Sequence, residues 1–136
     1  MPNRKQSFAF RLDLESGVPA YRQIIDQVTG GLAAGSLSSG EQLPTVRHVA
    51  VELSINPNTV MRAYRELEIR GIIDSLQGTG TFISEQNGKP DEAERQRRLG
   101  QLAGEFVARA GAAGFTIPEL LEQLKEMQSG GERKRK

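Results

Sequence analysis

Ser54-Ile55-Asn56-Pro57 is the segment that most constrains how this chain can fold. Before it, Val46, Val49, Ala50 and Leu53 recur at helical spacing; after it, Val60, Ala63, Tyr64 and Leu67 do the same. Asn56 is suited to cap the second of these helices, and Pro57 to occupy its first position, where an N–H has no partner to lose. Thr45 is the matching cap of the first helix. Ile55 can plug the turn. Two amphipathic helices joined by about three residues is the helix-turn-helix plan.

What flanks this pair extends the plan. Upstream, Phe8, Phe10, Leu12 and Leu14 alternate with polar or small residues, which predicts a short, half-buried extended segment ending at Ser16-Gly17. Pro19 then opens a helix whose apolar face carries Tyr21, Ile24, Ile25, Val28 and Leu32, with Gly35 as its stop. Its Gly30-Gly31 pair marks a soft spot or a close-packing site. Glu41-Gln42-Leu43 can form a very short strand. Downstream of the third helix, predicted over residues 57–70, Gly71 ends it. Ile72-Ile73-Asp74-Ser75-Leu76 and Thr81-Phe82-Ile83 then read as two strands around a Gln77-Gly78-Thr79-Gly80 turn. The order helix, strand, helix, turn, helix, hairpin predicts a winged helix-turn-helix over residues 1–84. The fold class is mostly α with a small β-hairpin wing (α+β).

A linker is expected at residues 85–90, followed by a charged helix from Asp91 to about Ala113 and, after Gly114-Phe115, a last helix. Thr116 and Glu119 have the spacing of a capping box. Leu99, Leu102, Phe106 and Val107 line the first of these helices, and Phe115, Ile117, Leu120, Leu121 and Leu124 line the second. So much aliphatic surface exceeds what two short helices can cover alone. It predicts a dimerisation tail over residues 91–128, a fold back onto the domain being the alternative. Residues 129–136, Gly-rich and then basic, read as a disordered tail.

Composition narrows the function classes. With no cysteine, disulfides, thiolate zinc sites and thiol catalysis are excluded. His48 is the single histidine, so neither a metal site nor a Ser-His-Asp set can be assembled, and Glu66 and Glu68 are two apart and face different ways. No enzyme and no cofactor are expected. The polar, basic N-terminus is not a secretory signal, and no apolar run approaches the ~20 residues of a membrane span. The expected location is the cytoplasm. Net charge is only +1, and within the helix-turn-helix and wing Arg47, Arg62, Arg65 and Arg70 are balanced by Glu52, Glu66, Glu68 and Asp74. Nucleic-acid binding must therefore rest on where charges sit.

Placement favours duplex DNA. The N-terminal end of a recognition helix meets base edges in the major groove, and here that end is Asn56-Pro57-Asn58-Thr59. Asparagine can pair with adenine, threonine can bond a base or phosphate, and the helix's first N–H groups favour a phosphate. Arg65 suits phosphate, Arg62 phosphate or guanine, and Thr45 and Arg47 open the preceding helix. Gly78, Thr79 and Gly80 would let the wing tip approach the sugar-phosphate chain. Each has a bland reading beside it: surface charge for Arg62 and Arg65, a helix cap for Asn56, an ordinary turn for Gly78-Thr79-Gly80, core for Tyr64 with its hydroxyl near the DNA edge.

Leu43-Pro44-Thr45-Val46-Arg47, Asn56-Pro57-Asn58-Thr59-Val60, Arg62-Ala63-Tyr64-Arg65-Glu66-Leu67 and Gly78-Thr79-Gly80-Thr81-Phe82 together resemble the GntR family of bacterial regulators. The Asn-Pro-Asn-Thr-Val form is similar to its YtrA branch and the related MocR branch, as is Ser16-Gly17-Val18-Pro19-Ala20-Tyr21. The resemblance covers about residues 10–84 well and the helical tail more loosely. It implies a homodimeric regulator, often a repressor, on an inverted-repeat operator, with Arg47 touching DNA. It also implies, from the few residues after the wing, no pyridoxal-phosphate domain of the MocR kind. Ser54 departs from the glycine expected in the turn. A small-molecule effector between the C-terminal helices is left open. The competing functions are a winged-helix module that binds protein, for which only Met61 on the third helix offers an apolar anchor, and a fragment of a pyridoxal-phosphate enzyme.

Overall fold

A computed structural model describes residues 8–85 and 91–135, with side chains up to residue 128. The polar, basic N-terminus (residues 1–7), residues 86–90 of the linker and the side chains of the terminal basic run lie outside the described residues. The elements are α1 (Ala20–Ala34), β1 (Gln42–Leu43), α2 (Val46–Leu53), α3 (Pro57–Ile69), β2 (Ile73–Leu76), β3 (Gly80–Ile83), α4 (Glu92–Ala112) and α5 (Ile117–Arg135). They form two compact units that divide after Glu85.

In the first unit, the apolar faces of α1, α2 and α3 meet in one core. Ile24, Ile25 and Val28 from α1, Val49 and Ala50 from α2, and Val60, Ala63, Tyr64 and Leu67 from α3 are buried together with Phe10, Leu37, Leu43, Ile73 and Ile83. The strands form one antiparallel sheet in the order β1-β3-β2. Leu43 pairs with Thr81 and Gln42 with Phe82, so the chain segment before α2 is stitched to the wing. Gly80, expected in the turn, is instead the first residue of β3 and pairs with Leu76.

Three helices end with the same geometry. At α3, Ile72 N–H bonds the Leu67 carbonyl and Gly71 N–H that of Glu68; at α4, Phe115 reaches Ala110 and Gly114 reaches Gly111. These are Schellman closures around a glycine with positive φ. At α2, Ile55 reaches Ala50 and Ser54 reaches Val51 in the same pattern. Ser54 (φ 56°) is the residue in the left-handed region where the other two helices use glycine. At α1, Gly31 is buried, and a Cβ there would lie 3.1 Å from Leu37 Cδ1 and 3.2 Å from Phe8 Cε1, so it is a close-packing site. Gly30 faces open space.

Residues 8–12 follow the expected half-buried alternation, Phe8, Phe10 and Leu12 being more buried than Ala9 and Arg11, and the pattern stops before Leu14. Phe10 is buried and Phe8 packs edge-on to it at 5.1 Å, but Leu14 is 88% exposed and no strand forms. The backbone is held instead by two glutamines one turn apart on α1. Gln27 accepts from Arg11 N–H (2.9 Å) and donates to the Arg11 carbonyl (2.6 Å); Gln23 does the same for Asp13 at 2.8 and 2.9 Å. Side-chain amides satisfy the groups a partner strand would have satisfied. Pro19 also sits one place earlier than expected, as the residue before the first helical one.

In the second unit, Asp91 caps α4 by accepting from Ala93 N–H at 3.1 Å. Glu119 accepts from both the N–H (2.9 Å) and the hydroxyl (3.0 Å) of Thr116 at the start of α5. Helix α5 runs on to Arg135. Adding a residue to an existing helix gains a hydrogen bond without a new nucleation cost, and a glycine costs only about 1 kcal/mol against alanine.

Candidate nucleic-acid interface

The buried side of α3 leaves the opposite side as a stripe of exposed residues. Asn58, Arg62, Arg65 and Ile69 follow one another at three- and four-residue spacing, with Met61 beside Arg62, and all five are exposed. The cap at the head of this stripe divides its two asparagines by role. Asn56 Oδ1 accepts from Asn58 N–H at 2.7 Å. That acceptor is engaged, so Asn56 keeps only its NH₂ donors for DNA, while Asn58 keeps both halves of its amide and can make the paired contact that adenine requires.

The expectation of free N–H groups for a phosphate at this helix end is corrected. Pro57 has none, Asn58 donates to Asn56 Oδ1, and Thr59 donates to the Asn56 carbonyl at 2.9 Å. At α2 the opposite holds. Thr45 Oγ1 accepts from His48 N–H at 3.0 Å and its carbonyl takes Val49, leaving the N–H groups of Val46 and Arg47 without a partner among the described residues. Together with the exposed Arg47 side chain, they present donors to a phosphate.

The arginines separate in the same way. Arg70 is paired with Glu66 at 3.1 Å, whereas Arg47 and Arg65 have no ion pair among the described residues. Arg62 lies over the Tyr21 ring of α1, its guanidinium carbon 3.7 Å from the ring centroid. Thr59 is half-buried beside the stripe. Tyr64 is buried, and its hydroxyl donates to the Pro44 carbonyl at 2.6 Å, so it belongs to the core and not to the DNA edge. Burial pushes its phenol well above the ordinary tyrosine range. His48 is exposed, with Nε2 3.8 Å from a Glu52 carboxylate oxygen, and no cluster among the described residues suits a metal ion.

In the wing, Thr79 N–H closes the turn on the Leu76 carbonyl at 2.9 Å, with Gly78 (φ 78°) in the third position. A Cβ on Gly78 would meet nothing within 4 Å, while one on Gly80 (φ 134°) would lie 2.5 Å from Gln42 Nε2. That amide donates to the Thr79 carbonyl at 3.3 Å. Gly78 and Thr79 are thus the open tip, and Gly80 makes room for Gln42. Gln42 and Tyr21 were not among the residues expected at this face. Tyr21 has the spacing of a core residue, and nothing local to Gln42 signals a partner in the wing.

Helices α2 and α3, a sheet that carries the hairpin, and an exposed stripe with amide and guanidinium donors define a winged helix-turn-helix DNA-binding protein. Residues 20–83 match the bacterial regulatory proteins of the gntR family. The chain is 38% identical to the HTH-type transcriptional regulator YhcF of Bacillus subtilis, over 86% of this chain and 96% of that one. It is also 38% identical to the HTH-type transcriptional repressor YtrA of the same organism, over 88% and 92%. Among solved structures, a transcriptional antiterminator from Listeria monocytogenes matches with a TM-score of 0.66 and 29% identity, over 89% of this chain and 90% of that one. YtrA from Sulfolobus acidocaldarius, a GntR-family transcription factor, matches with a TM-score of 0.53 and 31% identity, over 71% and 97%. The chain belongs to the GntR family of bacterial regulatory proteins. It is a transcriptional regulator that binds DNA, and not an enzyme.

Proposed function

We propose that the chain acts as a homodimer that binds an inverted-repeat operator in the cytoplasm and represses transcription. The observation that carries the dimer is the apolar surface of α4 and α5. Leu99, Leu102, Phe106, Val107, Phe115, Ile117, Leu121 and Leu124 are all exposed, Leu102 by 62%, and Leu120 is half-buried. A second copy would cover them, and two-fold symmetry would place two recognition helices on half-sites related by the same symmetry. No helix among the described residues is long and apolar enough to cross a membrane, so these residues are not explained as a span. In each half-site Asn58 reads a base edge, Arg47 reaches a base or phosphate, Thr45, Asn56, Thr59, Arg62 and Arg65 contact phosphates at the groove's edge, and Gly78 and Thr79 bring the wing tip to the backbone, with Gly80 seating Gln42 behind it. Repression, the role in the name of the B. subtilis YtrA relative, is what occupying an operator over a promoter produces.

Selection of bound sequences from a random duplex pool tests this, followed by binding of wild type and Arg47→Ala at several salt concentrations. An enriched inverted repeat, with discrimination lost in the variant, is expected. No enrichment at any salt would overturn the proposal in favour of a protein-binding module, with Met61 (42% exposed) as its apolar anchor.

A further inference from the structure

Helix α1 lies outside the helix-turn-helix pair, yet it reaches the candidate DNA face at one point. Tyr21 packs partly against the core, and the Arg62 guanidinium rests 3.7 Å above its ring. The acidic group one turn further along α3, Glu66, is engaged by Arg70, so it does not draw Arg62 away. Stacking uses the flat face of a guanidinium. A guanidinium that stacks flat on a ring keeps its five N–H bonds in its own plane, directed past the ring's edge and free to donate. A solvated arginine would have to be ordered when DNA arrives, and that ordering opposes binding. An arginine already held on a ring does not incur it.

We propose that Tyr21 is a positioning residue for DNA recognition: it holds the Arg62 guanidinium in place before binding, with its N–H fork aimed at a backbone phosphate beside the recognition helix. The inference rests on the DNA-binding reading above. Arg62 leans from α3 toward α1 and so faces the wall of the groove, which favours phosphate over a base as its target.

The test is a double-mutant cycle on the selected operator, with Tyr21→Leu and Tyr21→Phe each made in the wild-type and Arg62→Ala backgrounds. Tyr21→Phe keeps the ring and should bind within about twofold of wild type, whereas Tyr21→Leu should weaken binding about three- to tenfold. In the Arg62→Ala background Tyr21→Leu should add nothing. A Tyr21→Leu loss that persists in full without Arg62, or no loss at all, would overturn the proposal. A second measurement needs no variant: NMR relaxation of the Arg62 Nε–H in the DNA-free protein should show it more ordered than that of Arg47, and equal disorder would also overturn it. Absence of any selected operator defeats the DNA reading instead, so the two failures are distinguishable.

Discussion

Ser54 holds the turn between α2 and α3 in a backbone conformation that disfavours every side chain larger than hydrogen. At φ 56° its Cβ crowds the following carbonyl, a strain of about 1–2 kcal/mol. Replacing it by glycine relieves that strain and restores some entropy to the unfolded chain, which offsets part of the gain. Ser54→Gly is expected to raise stability by about 0.5–1 kcal/mol, read as a higher urea midpoint at unchanged slope. At Tyr64 the direction reverses. Tyr64→Phe leaves the Pro44 carbonyl without its 2.6 Å donor and should cost about 1–2 kcal/mol at neutral pH. Because burial raises the folded phenol's pKa, the unfolded state loses this proton first as pH climbs past about 10. The folded state keeps it, so the wild type's stability falls with rising pH. Its advantage over Tyr64→Phe should therefore shrink between pH 9 and 11 in denaturation curves; a constant difference would contradict the assignment. Thr45 and Asn56 were legible from sequence as caps because each bonds an N–H two or three residues away. Tyr21 with Arg62, and Gln42 with Thr79, join residues far apart in the chain, and no local pattern announces such pairs.

At the scale of elements, apolar periodicity located all three helices of the first unit, since each buries one face, while the glycine-rich turn located the wing strands, of which only Ile73 and Ile83 are buried. Period two also located the extended segment at residues 8–12, where Phe8, Phe10 and Leu12 are the more buried residues, and failed at Leu14. Period two reports alternating burial, but a strand also needs a partner, and here the partners are Gln23 and Gln27 side chains. The wing's two glycines look alike in sequence and differ in the fold. Gly78→Ala adds strain at φ 78° with open space around the new methyl, a cost of about 1 kcal/mol. Gly80→Ala also displaces the Gln42 amide and breaks its bond to Thr79, so it should lower the thermal unfolding midpoint further. The reverse order in melting experiments would refute the packing role given to Gly80.

For the molecule as a whole, the exposed apolar residues of α4 and α5 are the surface on which the proposed dimer rests. Leu102→Glu and Phe106→Glu would each place a carboxylate in the apolar surface a second copy is proposed to cover. Sedimentation should then report monomers. Affinity for the inverted repeat should fall by about a hundredfold or more, because the second half-site is no longer bound by a tethered partner, while affinity for a single half-site is retained. A variant that stays dimeric would remove these helices from the interface.

The pairing of Leu43 with Thr81 also orders events at the ribosome. Leu43 is buried, and among the described residues its strand has no neighbour other than β3, made nearly forty residues later. While the chain is being synthesised, α2 and α3 can be complete and yet the segment that anchors the start of α2 still lacks its partner. That pairing cannot begin before the hairpin leaves the exit tunnel. A nascent chain that ends before the wing therefore cannot present a finished DNA-reading face, and the newly made regulator becomes able to compete for its operator only once β3 has docked.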